Sequence, residues 1–278
     1  MEEDGPIVLP NASDALPEDT EYAFIDDQGA DITVFAYSGM DALFAGRARY
    51  EFKKIFRSLS VPCNLVCFKD PRILGFHVAL DGKNPGIDFY AEKTREIMEQ
   101  LGARHNIALG SSSGGMAAFT FGTICGMDKV ISFSPAFPHT VYLGRKHFFH
   151  TLFNFKALFR EPQAYIEVFI VTLSTIWMSD VALPRIKVDF PLTYWDTWGI
   201  YEGAGDKRPE GIVYYGERSP ADNRQAQMMA EAFPDQVRLE PVDTGRHNCP
   251  AVLLQQGKLV EVLDHEISMV LPVVEPQS

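Results

Sequence analysis

Short, nearly continuous apolar runs alternate along this chain with longer stretches whose apolar residues recur at helical spacing. The first runs, Glu21 to Asp27 and Asp31 to Tyr37, flank the turn residues Asp27-Gln28-Gly29 and read as strands. Asp41 to Phe56 then spaces Leu43, Phe44, Phe52, Ile55 and Phe56 as a helix would. Pro62 to Phe68 reads as the next strand and Asp88 to Leu101 as a helix, with an irregular apolar loop carrying His77 at Ile73 to Gly82 between them. His105 to Leu109 is a strand, Met116 to Phe121 is compatible with a helix, and Val130 to Pro135 is another buried strand. This rhythm is that of βα units and predicts an α/β fold: a mostly parallel central sheet with helices on both faces. The carboxyl ends of such strands converge on one edge, where loops meet ligands.

The rhythm breaks between Phe137 and Glu210, a stretch rich in aromatics (Phe148, Phe149, Phe153, Trp177, Trp198). Its apolar run Val168 to Met178, bounded by Glu167 and Asp180, is too short to span a bilayer, which takes about 20 residues. It reads as a buried helix of an inserted cap that forms an apolar pocket. Strand and helix patterns resume at Gly211 to Gly216, Ala221 to Phe233, Gln236 to Val242 and Ala251 to Met269. The expected organisation is therefore an irregular lead-in over 1–20, a core over 21–136 and 211–271, and an inserted helical cap over 137–210. A disordered tail is expected after Leu271.

With 278 residues, 46% hydrophobic and 22% charged, the chain suits one large globular domain. A net charge of -12 argues against nucleic acid as a partner, because phosphate binding needs a basic footprint. Arg145, Lys146, His147, His150, Lys156 and Arg160 mix with aromatics inside the cap, a pattern compatible with an interfacial membrane patch, but the overall acidity weighs against membrane contact. The start, Met1-Glu2-Glu3-Asp4-Gly5, has neither the basic nor the apolar region of a signal peptide. The four cysteines (Cys63, Cys67, Cys125, Cys249) lack the spacing of a disulfide framework or a metal site, so reduced thiols in a cytoplasmic protein are expected.

Chemistry concentrates at Gly110-Ser111-Ser112-Ser113-Gly114-Gly115, between the His105 strand and the Met116 helix. With Ser112 central it reads G-x-S-x-G: a sharp strand-to-helix turn that sets a serine hydroxyl at a helix N-terminus, where free N–H groups and the dipole favour developing negative charge. Ser113 in Ser111-Ser112-Ser113-Gly114-Gly115 is the competing register, but only the Ser112 register has glycine at both ends. A phosphate loop is the other reading of the glycines, and its Lys-Ser/Thr ending is missing. A serine hydroxyl needs a base, and the base an orienting acid. Asp243-Thr244-Gly245-Arg246-His247-Asn248 and Glu217-Arg218-Ser219-Pro220-Ala221-Asp222 leave later strands at the same edge and offer both. Asp222 gives the chain order Ser, Asp, His; Glu217 is its rival, and Asp243 is a further possibility.

These residues, GSSSGG at 110–115, YYGERSPAD at 214–222 and DTGRHN at 243–248, resemble the α/β-hydrolase superfamily over nearly all of 21–270. They are similar in particular to a bacterial branch with a G-S-S-x-G-G elbow. The resemblance implies the α/β-hydrolase fold, a catalytic Ser112 with His247 as base and Asp222 as acid, and no cofactor or metal. It also implies an oxyanion hole at the backbone N–H of Ser113 and of Gly39 or Met40, in the loop after the Asp31 to Tyr37 strand. The chain departs from the pattern in two places: Ser219 stands where the acid usually does, and no HGGG follows the early strand. The expected activity is cleavage of an ester or thioester of a small-molecule or acyl-chain substrate. The alternatives are acyl transfer on the same residues and a non-catalytic binding protein. Patterning does not address the oligomeric state.

Overall fold

In a computed structural model of the protein, the described residues are 21–39, 50–136, 155–177 and 196–271. Their strands are β1 (Ala23–Asp26), β2 (Ile32–Tyr37), β3 (Asn64–Phe68), β4 (His105–Ser111), β5 (Lys129–Phe133), β6 (Glu210–Gly216) and β7 (Val237–Val242). They form one sheet of order β1-β3-β2-β4-β5-β6-β7. Only β1 runs antiparallel; every other pairing is parallel. The helices are α1 (Gly86–Leu101), α2 (Ser113–Ile124), α3 (Phe155–Arg160), α4 (Pro162–Trp177), α5 (Thr197–Gly203), α6 (Pro220–Ala232), α7 (Cys249–Gln255) and α8 (Leu259–Ser268).

The strands are apolar almost throughout because both faces are covered, as a parallel sheet requires. Successive side chains take opposite faces. Phe35, Tyr37, Val66, Phe68 and Ala108 join one core cluster with residues of α1, α2 and α6. Val34, Ala36, Leu65, Ile107 and Leu109 join the other, with residues of α7 and α8. The expected layers are present, and β4 lies at the centre with its carboxyl end feeding α2.

Three expectations change. Within the stretch read as a helix from Asp41 to Phe56, 41–49 lie outside the described residues, and the remainder bends into a 3-10 turn at Ile55–Ser58. Phe52, at a φ of 63°, leaves the right-handed helical region and interrupts the helix. The apolar run beginning at Val168 belongs to α4, which starts earlier, and not all of this helix is buried: Ile166 and Leu173 are 51% and 47% exposed. The chain also returns to the core before Glu210, since Tyr201 of α5 packs edge-on against Phe119 and Phe233, with centroids 5.4 and 4.9 Å away. The lead-in 1–20, Met40, the Arg145 to His150 part of the basic patch and the tail after Leu271 lie outside the described residues.

Candidate active site

The turn between β4 and α2 holds Ser112 at φ 55°, ψ −121°. A non-glycine residue there is strained by about 1 to 3 kcal/mol and persists only where its surroundings over-determine it. Here the Ser112 N–H donates to the Phe133 carbonyl (2.9 Å), while the Ser112 carbonyl accepts from Met116 (3.2 Å) and Ala136 (3.1 Å). The flanking glycines are steric necessities. A Cβ on Gly110 would strike the Gly114 carbonyl, and one on Gly114 would strike the Tyr37 carbonyl.

Two loops from neighbouring strands complete the arrangement. Beyond β6, the Glu217 N–H donates to the Val242 carbonyl and the Arg218 N–H to the Thr244 carbonyl, each at 3.0 Å, which ties this loop to the one after β7. Asp222, in the first turn of α6, is buried, with 2% of its surface exposed. Its Oδ1 lies 2.7 Å from His247 Nδ1, and His247 Nε2 lies 2.9 Å from Ser112 Oγ. Ser112, His247 and Asp222 are thus brought into one hydrogen-bonded line. Such a line can take a proton from the hydroxyl onto the imidazole and stabilise the resulting cation.

The competing residues stand elsewhere. Ser113 is buried, and its Oγ meets no hydrogen-bond partner among the described residues. Glu217 is exposed, and Asp243 points into solvent beside Arg218. His77 is buried behind the turn, near Gly75 and Ser113, and burial pulls its imidazole down to about 3.

Of the expected oxyanion donors, the Ser113 N–H is the first of α2 and has no carbonyl within the helix to receive it. Gly39 borders the Ser112 cavity, next to the Ser111 carbonyl, whereas the neighbouring Ser38 N–H is committed to the Phe68 carbonyl at 3.0 Å. Among the described residues no group of His, Cys, Asp and Glu is arranged to hold a metal, and none of the helices is long and apolar enough to cross a membrane.

A cavity of about 560 Å³ opens over Ser112 and His247. In its described wall Ile166 and Ile170 of α4 stand beside Gln163, Glu51 and Arg246. A second cavity of about 380 Å³ adjoins it across Glu51, Ser111 and Asn248. Glu167, read in the sequence only as the boundary of an apolar run, contacts the His247 loop: its carboxylate accepts from Arg246 Nε at 2.9 Å and from the Asn248 N–H at 2.5 Å. Its signal in the sequence was slight: the one carboxylate of this helix, at the edge of the apolar run.

No protein-family model matches the sequence, and no curated protein is significantly similar to it. Solved structures do match in shape. A chain of a glycosylation-associated protein complex from Streptococcus agalactiae aligns with a TM-score of 0.58 at 14% identity, over 88% of this chain and 44% of that one, so this chain spans less than half of that neighbour. A putative esterase from Staphylococcus aureus aligns with a TM-score of 0.55 at 14% identity, over 96% and 87% of the two chains. The capsule O-acetyltransferase of Neisseria meningitidis serogroup A aligns with a TM-score of 0.54 at 13% identity, over 88% and 90%. Carboxylesterases and a yeast peroxisomal α/β-hydrolase are also among the neighbours.

Proposed function

Taking the α/β-hydrolase fold of this chain as the premise, we propose that the protein is a serine hydrolase that cleaves a carboxylic ester or thioester through an acyl-enzyme on Ser112. The observation that carries this reading is the line from Asp222 Oδ1 to His247 Nδ1 (2.7 Å) and from His247 Nε2 to Ser112 Oγ (2.9 Å).

Ser112 Oγ attacks the substrate carbonyl while His247 Nε2 takes its proton, with Asp222 holding the imidazole in the tautomer that presents a lone pair to the serine. The developing oxyanion is received by the Ser113 N–H and a donor at Gly39 or Met40, each worth about 3 to 4 kcal/mol in a comparable site. The imidazolium then protonates the leaving alcohol or thiol. In the second half, His247 deprotonates water, which attacks the acyl carbon and frees Ser112. No step requires a metal or a cofactor.

Acyl transfer is the second reading, favoured by the shape neighbour that is an O-acetyltransferase. In that case the acyl-enzyme passes its acyl group to a hydroxyl or amine instead of water. Hydrolysis of p-nitrophenyl esters by the wild type and Ser112→Ala tests the proposal. Ser112-dependent release of p-nitrophenol supports it, and equal rates for the two proteins contradict it. Added alcohols that divert the acyl group from water into a new ester identify the transferase.

A further inference from the structure

Helix α4 meets the loops at the sheet edge through one face. Glu161, just before it, and Ala164 and Glu167 within it recur at a spacing that keeps them on one side of a helix. Ala164 is buried, and a Cβ on Gly245 would come within 2.8 Å of the Glu161 carboxylate and 3.3 Å of Ala164 Cβ. Gly245 therefore lets α4 lie directly on the loop that carries His247.

Beyond this contact Glu167 holds Arg246 with Oε2 (2.9 Å) and the Asn248 N–H with Oε1 (2.5 Å). Arg246 and Asn248 are the residues immediately before and after His247, so one carboxylate grips both flanks of the histidine. The side chains of the pair are only 27% and 20% exposed, and partial burial leaves their attraction less screened than on an open surface. The second clasp of this face, Glu161 with Arg218 at 3.4 Å, is 41% and 51% exposed, and Arg218 divides itself between Glu161 and Asp243.

We infer that Glu167 is a positioning residue for His247, which holds the imidazole in line with Ser112 while α4 is docked. Because Ile166 and Ile170 of the same helix line the cavity over Ser112, the element that bounds the substrate space also aligns the base. This rests on the acyl-enzyme reading above.

The test is inactivation by a fluorophosphonate, followed by intact mass at a series of probe concentrations so that the maximal rate separates from the half-saturating concentration. Wild type is compared with Glu167→Gln, Glu167→Ala and Glu161→Ala. Glutamine keeps an acceptor for the Asn248 N–H but loses its charge against Arg246; alanine loses both. The maximal rate is expected to fall about 10- to 100-fold in Glu167→Ala and less in Glu167→Gln, with the half-saturating concentration changed less than about threefold. Glu161→Ala is expected to stay within about twofold of wild type. The isosteric glutamine variant supplies the reading should the alanine variant unfold. A change confined to the half-saturating concentration or the melting temperature, with the maximal rate intact, overturns the positioning role and leaves the functional reading standing. A folded wild type that forms no adduct overturns the functional reading, and the inference with it.

Discussion

Beneath Ser112 the chain is buried and held largely by its own backbone. The loop behind the turn wraps the buried Asp70 carboxylate with the N–H groups of Arg72, Leu74 and Phe76, at 3.0, 2.5 and 3.0 Å. Ile73, Phe76 and Ser112 all sit at positive φ in this region (56°, 66° and 55°), the first two buried and Ser112 held by its backbone hydrogen bonds. Above Ser112, α4 is held by polar clasps, Glu167 on Arg246 and Glu161 on Arg218, and leaves Ile166 and Leu173 half exposed. The difference separates two tasks. Backbone strain is kept where the core over-determines the conformation, and the boundary of the cavity over Ser112 is given to an element held by polar clasps with half-exposed apolar side chains.

That contrast breaks most visibly at the floor. Asp222→Asn is expected to lower ester turnover about 10⁴-fold with little loss of stability, because the imidazole then favours the wrong tautomer. Ester kinetics beside a thermal melt check this. Gly110→Ala is expected to destabilise by about 1 to 3 kcal/mol, since the new methyl strikes the Gly114 carbonyl; urea unfolding reads it.

His77 gives the floor a pH signature. Burial holds its imidazole at about 3, against 6.5 for the exposed group. Between those values the unfolded chain binds a proton that the native state refuses, so this share of stability is complete above about pH 6.5 and is lost as pH falls towards about 3, with a slope approaching 1.4 kcal/mol per unit. His77→Gln should remove that share of the slope, seen in urea midpoints at about pH 7 and about pH 4.5. The roof should give the smallest effect. Leu173→Ser, at a half-exposed position, should shift stability by less than about 0.5 kcal/mol in the same assay.

The strands and the glycine turn of the floor were legible in the sequence, whereas the loop behind the turn read only as an irregular apolar stretch. Continuous apolar strands and the Gly110 to Gly115 turn state their geometry locally, because only glycine fits where backbones touch. The choice of Asp222 over Glu217 was legible only in part. The two carboxylates lie on one loop, and it is the burial of Asp222 against His247, a tertiary fact, that separates them. The roof was read least well. The apolar run from Val168 suggested a buried helix, yet α4 is docked by Glu161, Ala164 and Glu167, and Glu167 marks the run's edge. Its partners, Arg246 and Asn248, lie 79 and 81 positions further along the chain, and no local pattern pairs them.

The most direct test of the central claim is the site of the fluorophosphonate adduct. Wild-type protein is labelled, digested with trypsin, and the peptide carrying Ser111, Ser112 and Ser113 is fragmented in the mass spectrometer. The account predicts one adduct, on Ser112, absent from Ser112→Ala and slowed in His247→Ala. An adduct on Ser113 or Ser111, or none on the folded wild type, would contradict it.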